Sequence, residues 1–177
     1  MDASNAFNAL SRPLALWNAR ILWPRCARFL FNSYQGFPII LFRNCKEVIL
    51  SKEGTCQGDP LAMLFYAVGV LPLIINLKSN SWIQTWYADD SSCLGKLRSI
   101  HNWFNILITE GPKWGYYPEP GKSVLIVKEG MEQEANEIFQ GSNIKIVNAH
   151  PYLGGMIGPK QLKMNMSKKK LSFGLRR

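Results

Sequence analysis

Residues 85–95 read TWYADDSSCLG, and how the adjacent Asp89 and Asp90 are read decides the fold that carries them. Neighbouring carboxylates repel each other and need solvation or a cation. By spacing alone a solvated turn explains the pair, because aspartate favours turns. The flanks weigh against that reading. Trp86, Tyr87 and Ala88 precede the pair, Ser91, Ser92 and Cys93 follow it, and no Lys or Arg stands beside it. SWIQTWYA reads as a strand, DD as a turn and SSCLG as the return strand. Two carboxylates on an apolar hairpin suit Mg²⁺, which binds through one or two carboxylates and completes its shell with waters and phosphates.

Upstream, GTCQGDP has two glycines, a proline and small polar residues, and reads as a loop. Asp59 in this loop is placed to cap the helix that follows. That helix is LAMLFYAVGVLPLIINL, Leu61 to Leu77, a stretch of 17 residues without a charge. A membrane span needs about 20 residues. The stretch also contains Gly69 and Pro72, so a helix buried in a protein core is the better reading and a span the minor one.

DASNAFNAL opens the chain as a helix that Ser4 or Asn5 can cap, with Pro13 interrupting it or starting a new turn. PRCARFLFNSY has apolar residues at helical spacing. FPIILFR and KEVILSKEG form a hairpin across NC. Downstream, KLRSIHNWFNILITEG fits a helix with Ile100, Trp103, Phe104 and Leu107 on one face and Gly111 as its stop. KSVLIVKEG reads as a strand, MEQEANEIFQG as an acidic helix, and NIKIVNA and PYLGGMIG as one short strand each. The order predicts an α+β domain, with helices on one face of a mostly antiparallel sheet and no dividing linker.

The chain has 177 residues, 47% of them hydrophobic, which is a globular composition. Its net charge of +9 is uneven. Residues 159–177 carry seven Lys and Arg and no acid, and read either as a flexible, solvated tail or as a phosphate-binding segment. A second basic region comprises Arg12, Arg20, Arg25, Arg28, Arg43, Lys46 and Lys52, against Glu47 alone. It can track a phosphate backbone or serve as a solubilising face. Cys26, Cys45, Cys56 and Cys93 have no zinc or disulfide spacing, which places the expectation in a reducing, intracellular setting, cytoplasm or nucleus. The polar start shows no signal peptide.

DASNAF, SKEGTCQGDPLAMLFYA, WYADD, GKSVLIVK and YLGG stand in the order of the palm motifs, usually lettered A to E, of reverse transcriptases. The chain resembles the retrotransposon enzymes, nearer the non-LTR than the retroviral type, over residues 1–158. Y-A-D-D alone is a weak signal; with Q-G-D-P and D-x-x-x-A-F in order it is a strong one. The resemblance implies an α+β palm and RNA-directed DNA synthesis by a two-metal mechanism. Its partners would be an RNA template, a DNA primer and deoxynucleoside triphosphates, with no membrane. Its cofactors would be two Mg²⁺ ions, with Mn²⁺ as a substitute.

It also implies roles residue by residue. Asp2 and Asp89 match the metal-binding aspartates, and Asp90 their less critical neighbour. Phe7 matches the aromatic that excludes a 2′-hydroxyl, and its ring serves core packing equally well. Gln57 and Gly58 match the loop that contacts nucleotide and template. Lys122 matches a proton donor to the leaving pyrophosphate, although a surface lysine at a strand start reads as well. Tyr152, Leu153, Gly154 and Gly155 match the hairpin that grips the primer.

The departure lies at the start. Only Met1 precedes Asp2, so the strand that ends on the first aspartate in the family is missing from this sequence. The fingers are missing as well, and the thumb largely so. An N-terminally truncated palm, without the other domains of its parent polyprotein, is expected to leave Asp2 mobile. Polymerase activity from the chain alone is then expected to be weak or nil. The alternative is an inactive palm remnant that keeps the fold and binds nucleic acid.

Overall fold

The computed structural model describes residues 1–41, 43, 47–55 and 58–159. The described residues fall into two compact units, Asp2–Glu119 and residues from 120 onward.

The first unit begins with three helices, α1 (Ala6–Ala9), α2 (Arg12–Leu22) and α3 (Pro24–Tyr34). Helix α2 was not expected as an element of its own. Pro13 lies in its first turn, where the fixed φ suits a helix and no donor is lost. The chain then makes a hairpin, β1 (Ile39–Ile40) with β2 (Ile49–Leu50), in which Ile39 faces Leu50 and Ile40 faces Ile49. Helix α4 (Ala62–Asn76) follows. Phe65, Tyr66, Val70 and Leu73 of α4 are buried, and Asn18 of α2 donates to its Gly69 carbonyl at 3.0 Å. Among the described residues no helix is long and apolar enough to cross a membrane.

The central hairpin is β3 (Trp82–Tyr87) with β4 (Asp90–Gly95). Its inward face is held by side chains on helix carbonyls. Trp82 Nε1 donates to Leu77 O at 2.9 Å, and Gln84 Nε2 to Ile74 O at 2.8 Å. Gln84 Oε1 in turn accepts the indole N–H of Trp103 at 3.1 Å. Trp103 lies on α5 (Leu97–Glu110), whose Trp103, Phe104 and Leu107 are buried as the 3.6-residue period predicts. Helix α5 ends at Gly111 and runs into a 3-10 turn, Gly111–Trp114.

The second unit holds a 3-10 turn at Pro120–Lys122, then β5 (Val124–Ile126), α6 (Glu132–Ile138) and β6 (Lys145–Val147), with β5 and β6 parallel. Asn148 Nδ2 donates to Glu132 Oε1 at 2.6 Å, which lowers the carboxyl pKa. PYLGGMIG is two strands, β7 (His150–Tyr152) and β8 (Gly155–Ile157), paired antiparallel.

The α+β class is therefore observed, but the single sheet is not. The described strands form four separate two-stranded ladders, three antiparallel and one parallel. Outside the central hairpin each strand has only two or three residues, too few to recruit a neighbour along its length.

Candidate active site

The acidic turn is tighter than the sequence suggested. Tyr87 pairs with Asp90, so Ala88 and Asp89 form the two-residue connection and Asp90 belongs to β4. Ala88 has φ 54°, the left-handed region that a residue with a Cβ adopts at a cost. Two-residue hairpins need such an angle to match the strand twist, and glycine usually supplies it.

Tyr116 lies beneath this turn, fully buried. Its hydroxyl donates to the Asp89 carbonyl at 3.0 Å and stands 2.9 Å from Ser91 Oγ. A carbonyl can only accept, so the tyrosine proton goes to Asp89 and the Ser91 hydroxyl donates to the phenol oxygen. Burial raises the Tyr116 pKa, the Ser91 hydrogen bond opposes this, and the charges of Asp89, Asp90 and Asp2 raise it further. The phenol stays protonated and is a dependable donor.

Asp2, expected to lack a supporting strand, is paired along its backbone. Its carbonyl accepts the Glu119 N–H at 2.9 Å, Ala3 forms an antiparallel bridge with Pro118, and Ser4 N–H donates to Tyr117 O at 2.8 Å. This backbone pairing does the holding that the sequence left to a preceding strand. The Asp90 carboxyl is raised above the ordinary aspartate range, first by burial, then by Asp89, with Asp2 adding to it. The fold thus brings Asp2 near Asp89 and Asp90, from which it lies 87 and 88 positions away in sequence.

Phe7, half-buried on α1, stacks on Tyr66 of α4 with ring centroids 4.7 Å apart. Its ring is therefore packed, as its core reading expects. The Tyr66 pKa is raised by burial, then by Tyr116 and Asp89, which connects Phe7 to the acidic turn through one ring. Two buried hydroxyls, Thr55 and Tyr66, have no hydrogen-bond partner among the described residues, and both flank Phe7: Thr55 N–H donates to Phe7 O at 2.8 Å. Buried polar groups are otherwise almost always satisfied, so unpaired ones mark a place where water or a ligand fits.

The remaining predicted residues are placed as follows. Gln57 lies outside the described residues. Gly58 is exposed, with φ 89° and open space where a Cβ would be. Asp59 stabilises the turn ahead of α4 without being its N-cap, which is Leu61: its Oδ1 accepts Leu61 N–H at 2.9 Å, and its Oδ2 accepts the Tyr34 hydroxyl. Lys122 is exposed at the end of a 3-10 turn in the second unit. In the same unit Leu153 and Gly154, both with positive φ, make the turn between Tyr152 and Gly155.

One basic residue is not where the sequence put it. Arg12 is 3% exposed and is no part of a phosphate-tracking surface. Its guanidinium donates to the carbonyls of Gly36, Ser51, Glu53 and Gly54 at 2.9–3.0 Å and lies over the Tyr34 ring. Arg20, Arg25, Arg28, Arg43 and Lys52 are exposed, whereas Lys46 lies outside the described residues. Trp17 and Phe29 are exposed on the same two helices as Arg20, Arg25 and Arg28, and Trp23 is exposed at the junction between them.

Among the described residues no group of three or more His, Cys, Asp and Glu is arranged to hold a metal ion. The donor chemistry of Asp2, Asp89 and Asp90 nonetheless fits Mg²⁺. All are hard oxygen donors. No protein-family model matches the chain, and no curated protein matches it significantly. Sequence reasoning missed Tyr116, which belongs to no quoted motif, and gave no role to Tyr66, which lies within SKEGTCQGDPLAMLFYA; both meet the acidic turn only through the fold.

Proposed function

We propose that the chain is the palm of a retrotransposon reverse transcriptase, a fragment of an enzyme that transfers nucleotides to a primer on an RNA template. The observation that carries this reading is that one backbone segment, residues 116–119, bonds both to Asp2 and to the Asp89 turn, in a chain whose motifs stand in palm order. Asp2 and Asp89, with Asp90 beside them, would hold two Mg²⁺ ions. The metal supplies a lowered pKa at the primer 3′-hydroxyl and charge stabilisation on the triphosphate. Phe7, stacked on Tyr66, presents a fixed edge to the sugar and excludes a 2′-oxygen by bulk. Catalysis by such a site is positioning and electrostatics.

Primer extension on an RNA template with Mg²⁺ tests this. Incorporation by the wild-type chain that is lost in Asp89→Ala supports it; none at any enzyme concentration favours the inactive remnant. The exposed arginines of α2 and α3, with the exposed Trp17 and Trp23 beside them, favour a second reading, a remnant that binds nucleic acid without chemistry. No Asp or Glu occurs between Asp2 and Glu47 to offset them. Oligonucleotide binding that weakens steeply with salt, together with absent extension, would favour the remnant.

A further inference from the structure

We propose that residues 116–119 form a positioning strap, with Tyr116 as its key residue, that ties Asp2 and the Asp89 turn to one segment of backbone. The proposal rests on the reading of the acidic residues as a cation site. Four hydrogen bonds carry it. At one end of the strap, the Tyr116 hydroxyl donates to the Asp89 carbonyl and receives the Ser91 hydroxyl. Along the rest, Tyr117 O accepts Ser4 N–H and Glu119 N–H donates to Asp2 O. The two acidic segments, 87 positions apart, are thereby held by residues only three positions apart.

The strap itself is rigidly seated. Tyr116 N–H donates to Gly111 O at 3.0 Å, and a Cβ on Gly111 would lie 2.6 Å from the Tyr116 carbonyl oxygen. Gly115 has φ 76°, and a Cβ there would lie 2.8 Å from Ala9 O and 3.1 Å from Leu10 Cα. The Tyr116 ring meets Trp86 edge-on with centroids 5.2 Å apart. The ring is therefore held by packing, and only its hydroxyl addresses the turn. None of these residues touches a reacting atom, so their role is to place the carboxylates.

Tyr116→Phe separates the two functions, since it keeps the ring and deletes the hydroxyl. Two measurements on the full chain test it: amide hydrogen exchange at residues 89–91, and Mn²⁺ binding followed by electron paramagnetic resonance. The expected result is an unchanged circular dichroism spectrum, turn amides that exchange roughly tenfold faster, and Mn²⁺ affinity lowered by about the same factor, as for one lost hydrogen bond. Ser91→Ala should shift both in the same direction by less. Gly111→Ala, which displaces the whole strap, should loosen the Ser4 and Glu119 amides together with the turn. Unchanged turn exchange in Tyr116→Phe overturns the proposal. If the wild-type chain binds no Mn²⁺ while the turn loosens in the variant, the strap stands and the cation reading falls.

Discussion

The two hairpins of the first unit are held in opposite ways. The β3–β4 hairpin is anchored along its inward face, where Trp82 and Gln84 reach helix carbonyls and Tyr116 reaches the turn. The β1–β2 hairpin has four exposed residues and no inward face. It is fastened at its base, where the Arg12 guanidinium gathers carbonyls from Gly36 and from Ser51 to Gly54. A short ladder therefore need not bury apolar area to be fixed. It can be clamped by one buried donor that satisfies several acceptors, whereas the acidic turn is held by a phenol that donates once, to the Asp89 carbonyl, and accepts once, from Ser91.

The contrast can be broken most severely at Arg12. Arg12→Leu leaves four carbonyls without their donor and should destabilise the chain by about 3 kcal/mol or more. Urea denaturation reads the loss, and hydrogen exchange should show β1–β2 opening first while β3–β4 stays protected. Protection retained at Ile49 and Leu50 would show that the clamp is dispensable. Gln84→Leu is the corresponding break in the other hairpin. It strands the Trp103 indole N–H in the core and should cost about 2 kcal/mol, with the β3–β4 amides exposed first.

Ala88→Gly sharpens the comparison in the stabilising direction. It relieves the left-handed strain at the turn and should raise stability by about 1 kcal/mol in a thermal melt, with no change in the β1–β2 amides. The smallest effect concerns charge. Because the folded Asp90 carboxyl titrates above its ordinary value of 3.8, the folded state binds more protons than the unfolded one within that window, and stability falls as pH rises through it. Asp90→Asn should therefore melt slightly higher than wild type at pH 7. The two curves should converge as pH falls below the ordinary aspartate value. A difference that grows on acidification would refute the sign.

These features differ in how far local pattern reveals them. The β3–β4 hairpin follows from strand alternation, and α5 from Ile100, Trp103, Phe104 and Leu107 at helical spacing. The bulk of the element order follows the same way. Helix α2 was obscured because Pro13 reads as a breaker unless its place in the first turn is known. Arg12 was grouped with surface cations because its partners lie 24 to 42 residues away and are backbone carbonyls, which carry no residue identity. Tyr116 escaped for the same reason, since its partner at Asp89 is a carbonyl 27 residues upstream. The acidic residues themselves were legible, because a charged pair on an apolar hairpin is a local anomaly.

Gly115 gives the acidic neighbourhood a point of failure remote from its charges. Any side chain there meets the Ala9 carbonyl and asks an L-residue to hold φ 76°. A sequence drifting under weak selection could keep Asp2, Asp89 and Asp90 intact and still lose their alignment through this one position. In a decaying lineage of such chains, the glycine would be the more sensitive record of when the carboxylates stopped working together.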